Sequence, residues 1–565
     1  MHDALICKSQ NTFWKVWQNK FGKKKSSQKV INGLADNQCI ADEFASYFSA
    51  ACSVQTASTN ALLYGSFKNR LSKYQIDSPP KPVWFDVEMI DSIITKLIKG
   101  KAAGFDSLTA EHFQFCHPIV VCMLSKLFNL MLKFNYVPNE FGMGLTVPIP
   151  KKDSKCQFDK VEDYRGITIS PVVSKIFELC LLNHLKKSLA TSDLQFGFKS
   201  GLGCNHAIYT LRSTVDYFVT NNSTINLCSL DLTKAFDRVN HYSLFLKLMD
   251  RNIARNVILL LCNWYSKTCT FIRWNNCLSR KVQLTAGVRQ GGVLSPYLFA
   301  IIVDPILVKL SHSGLGCRLK GLMFNAIMYA DDLLLLSVSL TDLQMMVNLC
   351  VKEFRASDLS INLTKSVCMR IGPSHKSEVS NICIDNTALQ WKCELRFLGV
   401  SFVSSNSLKC NLQTVRQKYF RALNGVFGKI GVRSSVAVTM SLVGSFCVSI
   451  LTYGIDALNV SRSMYNELEA AYSAAFSKIF VTYDKEYIKQ CQFYCGCLPL
   501  CDIIDTRRLN FLHGLKSINN FALNLLYYRQ EKHEYSKLLS KHNLTQFNSC
   551  NWKSIIWNNF ANSVS

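Results

Sequence analysis

The chain has 565 residues, 48% of them hydrophobic and 18% charged, so it can bury several cores and is neither a disordered polymer nor a small disulfide-stapled module. A net charge of +25, from 64 Lys and Arg against 39 Asp and Glu, favours polyanionic partners, nucleic acid ahead of anionic membrane. The 24 cysteines are mostly scattered singly, which fits reduced thiols in an intracellular protein rather than a disulfide framework.

The opening "MHDALICKSQ" lacks a basic stretch followed by an apolar one, so no secretory signal is visible. Residues 1–85 read as an accessory segment and linker. In "NTFWKVWQNKFGKKKSSQK", Trp14 and Trp17 alternate with Lys15, Lys20, Lys23, Lys24, Lys25 and Lys29. Two readings stay open: stacking and phosphate contact with nucleic acid, or a solvated helix end packed through its tryptophans. Three prolines in "DSPPKPVWF" then forbid regular helix. Beyond them Asp86 reads as an N-cap, and Ile90, Ile93, Ile94, Leu97 and Ile98 share one helical face that ends at Gly100 and Gly104.

From Thr224 to Val403 short β-like runs alternate with amphipathic helices, an α+β pattern. "INLCSLDLTKAFDRVNH" is strand-like to Leu230 and delivers Asp231 at the strand's end. In "GVRQGGVLSPYLFAIIVDPIL", Ser295 and Pro296 read as N-cap and first residue of an apolar helix. The Gln290–Gly291–Gly292 loop before it lets backbone approach a base pair closely. "IMYADDLLLL" sets two adjacent carboxylates in an apolar run, a costly arrangement if buried. Strands over Ile327–Tyr329 and Leu333–Leu336 resolve it by putting Ala330, Asp331 and Asp332 at a hairpin tip. With the Asp231 strand alongside, three carboxylates converge, a set suited to two divalent cations; hard oxygen ligands favour Mg2+, or Mn2+, over zinc.

Between Arg433 and Asp456 an uncharged run is long enough to span a bilayer, but Ser, Thr and Gly interrupt it, and it reads as buried helix. "CQFYCGCLPLC" (Cys491, Cys495, Cys497, Cys501) lacks the usual paired zinc-ligand spacing and reads as small residues packed in a helical region.

The ordered series "GKAAGFDSLTAEHF", "VPIPKKDS…VEDYRGITISPVVSKIFE", "QFGFKSGLGC", "LDLTKAFDRVNH", "GVRQGGVLSPYLF", "YADD", "LSINLTKS" and "LRFLGVSF" resembles the reverse transcriptases of non-LTR retrotransposons, near their jockey-like branches. The resemblance implies a right-hand polymerase: fingers over 86–223, a palm of antiparallel sheet backed by helices over 224–405, a helical thumb over 406–481 and a C-terminal helical region over 482–565. It implies metal binding by Asp231, Asp331 and Asp332, joined by the carbonyl of Leu232, and a sugar gate at Phe236 that selects dNTPs. Gln290 and Gly291 fall beside the incoming nucleotide and template base, and Arg165 with Lys151 or Lys152 on the triphosphate. Lys365 matches a lysine proposed to protonate pyrophosphate. Phe397, Leu398 and Gly399 match a primer-gripping hairpin, and Gln195 to Phe198 a template-steering segment.

The implied partners are an RNA template, a DNA primer or target DNA, dNTPs and the element's own RNA in a ribonucleoprotein, with no membrane. The compartment is nucleus, cytoplasm or both. Two finger loops depart from the family pattern, "GFDS" for GPDG and "YRGIT" for YRPIS. The usual endonuclease signature ahead of the polymerase is missing, and the chain reads as beginning in the linker after such a domain. The rival reading is a catalytically silent remnant that only binds nucleic acid.

Overall fold

Successive strand residues point to opposite faces, so the four leucines after Asp332 demand apolar cover on both sides of their sheet. The protein, seen in a computed structural model that describes residues 14, 16–17, 30–54, 56–74, 83–151, 158–431, 434–528, 532–544 and 552–564, supplies it. Ile225–Leu230 lies between Asp332–Ser337 and Val367–Ile371, antiparallel to both. Ala326–Tyr329 closes one edge antiparallel, and Gln390–Trp391 extends the other edge in parallel. Leu333 and Leu335 enter one core with Leu244, Phe299, Ile302 and Val347. These come from helices His241–Asp250, Ser295–His312 and Leu340–Ala356. Leu334 and Leu336 enter a second core with Ile208 and Leu211 of helix Cys204–Thr220 and Leu509 and Leu512 of helix Leu500–Leu515. The continuous apolar run is thus the mark of a sheet buried on both faces. The C-terminal region, which carries no readable motif, forms part of the second cover.

A second sheet stands beside the first. Met143–Pro150 pairs antiparallel with Tyr164–Ile169 and parallel with Cys269–Trp274. Its interior holds a chain of buried hydroxyls, Thr168 to Thr146 at 2.8 Å and Thr146 to Thr270 at 2.6 Å, so each polar group there has a partner. Helix Asn37–Ala51, capped by Asp36 accepting from the Cys39 N–H, packs Phe44 against Tyr164 and Trp274. The stretch expected to be a linker is therefore integral to the fold, because its aromatic face completes the cover of this sheet.

Two helix limits differ from expectation. Asp86 does cap a helix, but Val87–Thr95 stops short of Gly100 and leaves Ile98 69% exposed. Ser295 is the first residue of its helix, not the cap. The Glu178 carboxylate, far away in sequence, accepts the N–H groups of Val293 and Leu294 and satisfies that helix start instead.

A third core joins Gln413–Ile430, Val436–Leu442, the π-helical turn Val443–Val448 and Arg462–Phe480. Trp17 is buried in it, and Trp14 meets Phe446 edge-on at 5.3 Å. Packing is thus what these tryptophans do; Lys15, Lys20, Lys23, Lys24, Lys25 and Lys29 lie outside the described residues, as do the prolines at 79, 80 and 82. The uncharged run is broken by the π turn and by Gly454, and no described helix is long and apolar enough to cross a membrane. Cys491, Cys495 and Cys497 pack against this same core.

Two-sided burial has a direct test. Leu334→Ala and Leu335→Ala reach different cores, and each should cost about 2–5 kcal/mol, seen as a lower thermal midpoint. A sheet with one wet face would leave one of the two near wild type.

Candidate active site

The last pair of the aspartate hairpin is Tyr329 with Asp332, so the turn consists of Ala330 and Asp331. Ala330 has φ +58°, a left-handed backbone that a side chain disfavours, so something must hold it. The Gln195 side-chain oxygen does, accepting the N–H of Ala330 at 3.2 Å and of Gly197 at 2.9 Å. Phe196 and Leu194 meanwhile hydrogen-bond the backbone of Met328. Gly197 is required by close approach, because a Cβ there would stand 2.5 Å from the Ala330 nitrogen. Gln195 is fully buried, so its side chain braces the turn and has no face toward a template, a correction to the expected role. Phe198 does reach the site, its ring edge-on to Phe236 at 6.0 Å.

Asp231 follows the last residue of its strand, and the Leu230–Leu333 pair sets it beside Asp332. Its N–H donates to Ser366 Oγ at 3.2 Å and its carbonyl accepts from Asn362 at 2.7 Å. Lys365 Nζ lies 3.9 Å from its carboxylate. Leu232 pairs with Ile361 through bonds made by their neighbours, so the Leu232 carbonyl takes no part in that ladder.

The three carboxylates feel one another. Burial, then the charges of Asp331 and Asp231, push Asp332 up to about 6, although its side chain opens to the cleft. Burial raises Asp331, with Arg165 and Lys365 opposing. Asp231 is raised by burial and by Asp331, with Lys365 opposing. They do not close into a tight cage: among the described residues, Asp502, Asp505 and His542 form the one such group whose ligand atoms all lie within 4.8 Å of one another.

The Gln290 loop stitches the site together. Gly287 N–H donates to the Val239 carbonyl and Val288 N–H to that of Phe236, at 2.7 and 2.8 Å. The Gln290 amide donates to Asp237 at 2.8 Å, while its own carbonyl accepts from Thr168 at 2.8 Å. Gly291, at φ +118°, lies so close to that strand that a Cβ would stand 2.4 Å from the Thr168 oxygen. Phe236 stacks on Phe299 at 4.5 Å, which fixes its ring plane. Arg165 is exposed on the Thr168 strand, and its charge is felt at Asp331 and Asp332. Lys151 Nζ donates to the Glu162 carbonyl; Lys152 lies outside the described residues.

Glu394–Phe397 and Val400–Val403 form the expected hairpin, turning at Leu398 and Gly399. Phe397 is buried in the second core, so the two turn residues, not Phe397, are what this hairpin presents. Sequence reading missed buried Glu178 and half-buried Arg289, the latter donating to the Phe141 carbonyl at 3.2 Å and to that of Gly142. Their signals were a lone acid in an apolar helix and an arginine inside the glycine loop. It also missed Ser366, whose only cue is its place after Lys365.

Residues 149–402 match the family described as "Reverse transcriptase (RNA-dependent DNA polymerase)". The Pol polyprotein of the type-2 retrotransposable element R2DM from Drosophila melanogaster is 23% identical over 347 residues, 60% of this chain and 32% of that protein. The RNA-directed DNA polymerase of the mobile element jockey from Drosophila funebris is 23% identical over 423 residues, 72% of this chain and 45% of that one. The chain thus spans less than half the length of these relatives. Telomerase from Candida tropicalis, solved in complex with a fragment of telomeric RNA, aligns at 12% identity and TM-score 0.35, covering 73% of this chain and 68% of that one. The class this defines for residues 149–402 is that of a reverse transcriptase domain, built on the α+β sheets described above. The relatives that align with the chain are polymerases of retrotransposable and mobile elements.

The raised Asp332 makes a stability prediction for the metal-free protein. A carboxyl whose folded pKa lies above its ordinary value adds stability at low pH and loses it as pH climbs through about 6. In EDTA the thermal midpoint should therefore fall between pH 5 and pH 7 more in wild type than in Asp332→Asn. Parallel curves would remove the repulsion assigned here.

Proposed function

We propose that the chain is an RNA-directed DNA polymerase, extending a DNA primer on an RNA template by nucleotidyl transfer from dNTPs with pyrophosphate leaving. The observation that carries this reading is the strand pairing that sets Asp231 beside the Asp331–Asp332 turn. Fingers over 86–223, palm over 224–405 and thumb over 406–481 are the corresponding subdomains.

The donor set is all hard oxygen, its carboxylates lack full counter-charge, and the Leu232 carbonyl is outside its ladder, which together suit two Mg2+ ions, or Mn2+. Asp231, Asp331, Asp332 and the Leu232 carbonyl would hold them. When bound, such ions favour deprotonation of the primer 3′-hydroxyl and offset charge on the leaving pyrophosphate. Arg165 and Lys151 bind the triphosphate, Arg165 by its planar fork. The Phe236 ring lies under the sugar and collides with a 2′-hydroxyl. Gln290 and Gly291 border the nascent base pair, Lys365 gives a proton to pyrophosphate, and the Leu398–Gly399 turn steadies the primer strand. An RNA template, target DNA and a ribonucleoprotein with the element's RNA, in nucleus or cytoplasm, complete the reading.

Primer extension on an RNA template with Mg2+ and dNTPs tests it against a binding-only remnant. Wild type should extend, and the double variant Asp331→Ala, Asp332→Ala should fall to background; equal background incorporation by both would sink the enzyme reading. Phe236→Ala should raise rNTP use relative to dNTP by about tenfold or more, as a lost steric clash of 1–3 kcal/mol implies. An unchanged ratio would take Phe236 out of this role.

A further inference from the structure

The primer-side turn is covered by a residue that the polymerase reading leaves unused. Tyr453 Oη donates to the Leu398 carbonyl at 2.9 Å. Its ring lies over Gly399, where a Cβ would stand 3.1 Å from Tyr453 Cε1. The next residue, Gly454, turns with φ +75° and backs onto the same hairpin, since a Cβ there would meet Val400 Cγ2 at 3.0 Å. Helix Cys204–Thr220 lies between this segment and the aspartate hairpin, packing on both Ile455–Ala457 and Ala326–Tyr329. Tyr329 is the residue paired with Asp332. A chain of contacts therefore runs from the Leu398–Gly399 turn, through the Tyr453 segment and helix Cys204–Thr220, to the aspartate hairpin.

This chain is anchored. Asp456, three residues after Tyr453, is buried and accepts two bonds from Arg507, at 2.8 and 3.0 Å, and one from Asn205 at 2.9 Å. A bidentate, charge-assisted pair of this kind is among the stronger polar contacts a protein makes. The Asp456 carbonyl also accepts from Arg508, which pairs with Glu534 at 2.9 Å. Arg507, Arg508 and Glu534 belong to the C-terminal region, so its helices hold the segment that carries Tyr453.

We propose that Tyr453, seated by the Asp456–Arg507 pair, is a positioning residue that fixes the primer-side turn relative to the aspartate hairpin and so sets where the primer terminus lies. The proposal rests on the polymerase reading for the identity of what is positioned; the coupling of the two turns does not. It gives the C-terminal helices a part in the reaction that none of their own residues performs.

The test uses the full chain with Tyr453→Phe and Tyr453→Ala, and the double aspartate variant as blank. Single-turnover extension is measured per active site, with sites counted by burst titration. Tyr453→Phe, which keeps the ring and loses the hydroxyl, should slow the step about 3–10-fold, as one lost hydrogen bond allows. Tyr453→Ala should slow it about 10–100-fold, the scale of an ångström of misplacement. dNTP affinity and the Mg2+-induced rise in thermal midpoint should stay at wild-type values in both, because the acids are untouched. A wild-type rate per site in Tyr453→Ala overturns the proposal, and so does a loss confined to the number of active sites, which is what simple destabilisation gives. Amide hydrogen exchange supplies a readout without catalysis: Tyr453→Phe should speed exchange at both 395–400 and 328–333. Faster exchange at the first turn alone overturns the coupling. Were wild type to extend no better than the blank, the polymerase reading would fail, while exchange would still decide the clasp.

Discussion

Three carboxylates held close together at the ends of apolar strands are the constraint on which this structure turns. Each is partly withdrawn from water, and at Asp332 the charges of Asp331 and Asp231 add to the cost, pushing its carboxyl up to about 6. Left to itself such a turn would splay. Backbone pairing prevents that, because Leu333 is fixed opposite Leu230 and Asp332 opposite Tyr329 by ladders that side-chain repulsion cannot slip. A one-residue slip would send Leu333 and Leu335 to the wrong core and Leu334 and Leu336 to the other. Two hydrophobic cores, rather than any local contact, therefore determine where the acids stand.

The fold near the acids was legible because it is written in local pattern. Period-two strands, a turn with Asp at its tip and a strand ending in Asp231 are all readable in windows of ten residues. What was not legible depends on partners distant in sequence. Ser295 has the chemistry of a helix cap, and it is not one, because Glu178 already satisfies the N–H groups at that helix start. Gln195 looks like a loop residue free to face solvent, and it is buried because Ala330 needs an acceptor for a strained N–H. Trp14 and Trp17 sit in a basic stretch that could suit nucleic acid, yet they meet Phe446 more than 400 positions on. Local pattern is blind to such pairings. The C-terminal cover of the sheet was unreadable for the same reason: its leucines have helical spacing and nothing that names their partner.

The Gln290 loop shows how separate motifs become one site. Its backbone is tied to the segment after Asp231 at Val239 and Phe236, its side chain to Asp237, and its carbonyl to Thr168 on the strand that carries Arg165. Gly291 permits the last contact, since any side chain there would strike the Thr168 oxygen. Moving the Arg165 strand therefore moves the loop, and with it the ring of Phe236. The motifs keep their order along the chain, but it is this loop that gives them a shared geometry.

The charges around the acids argue for what the cleft is made to receive. Lys365 stands 3.9 Å from Asp231, beyond a good hydrogen bond, and is largely exposed, so water screens much of its effect. Arg165 is also exposed, and its field lowers the two turn aspartates without bringing Asp332 back to the ordinary carboxylate range. A chain that carries a surplus of 25 positive charges could have closed this site with a bidentate Arg–carboxylate pair, as it does at Asp456. Here it leaves the acids under-neutralised and the cations at a distance. That separation of sign is what the proposed reaction asks of the cleft, whose guest would bring both signs with it: cations toward the aspartates, and anionic groups toward Arg165.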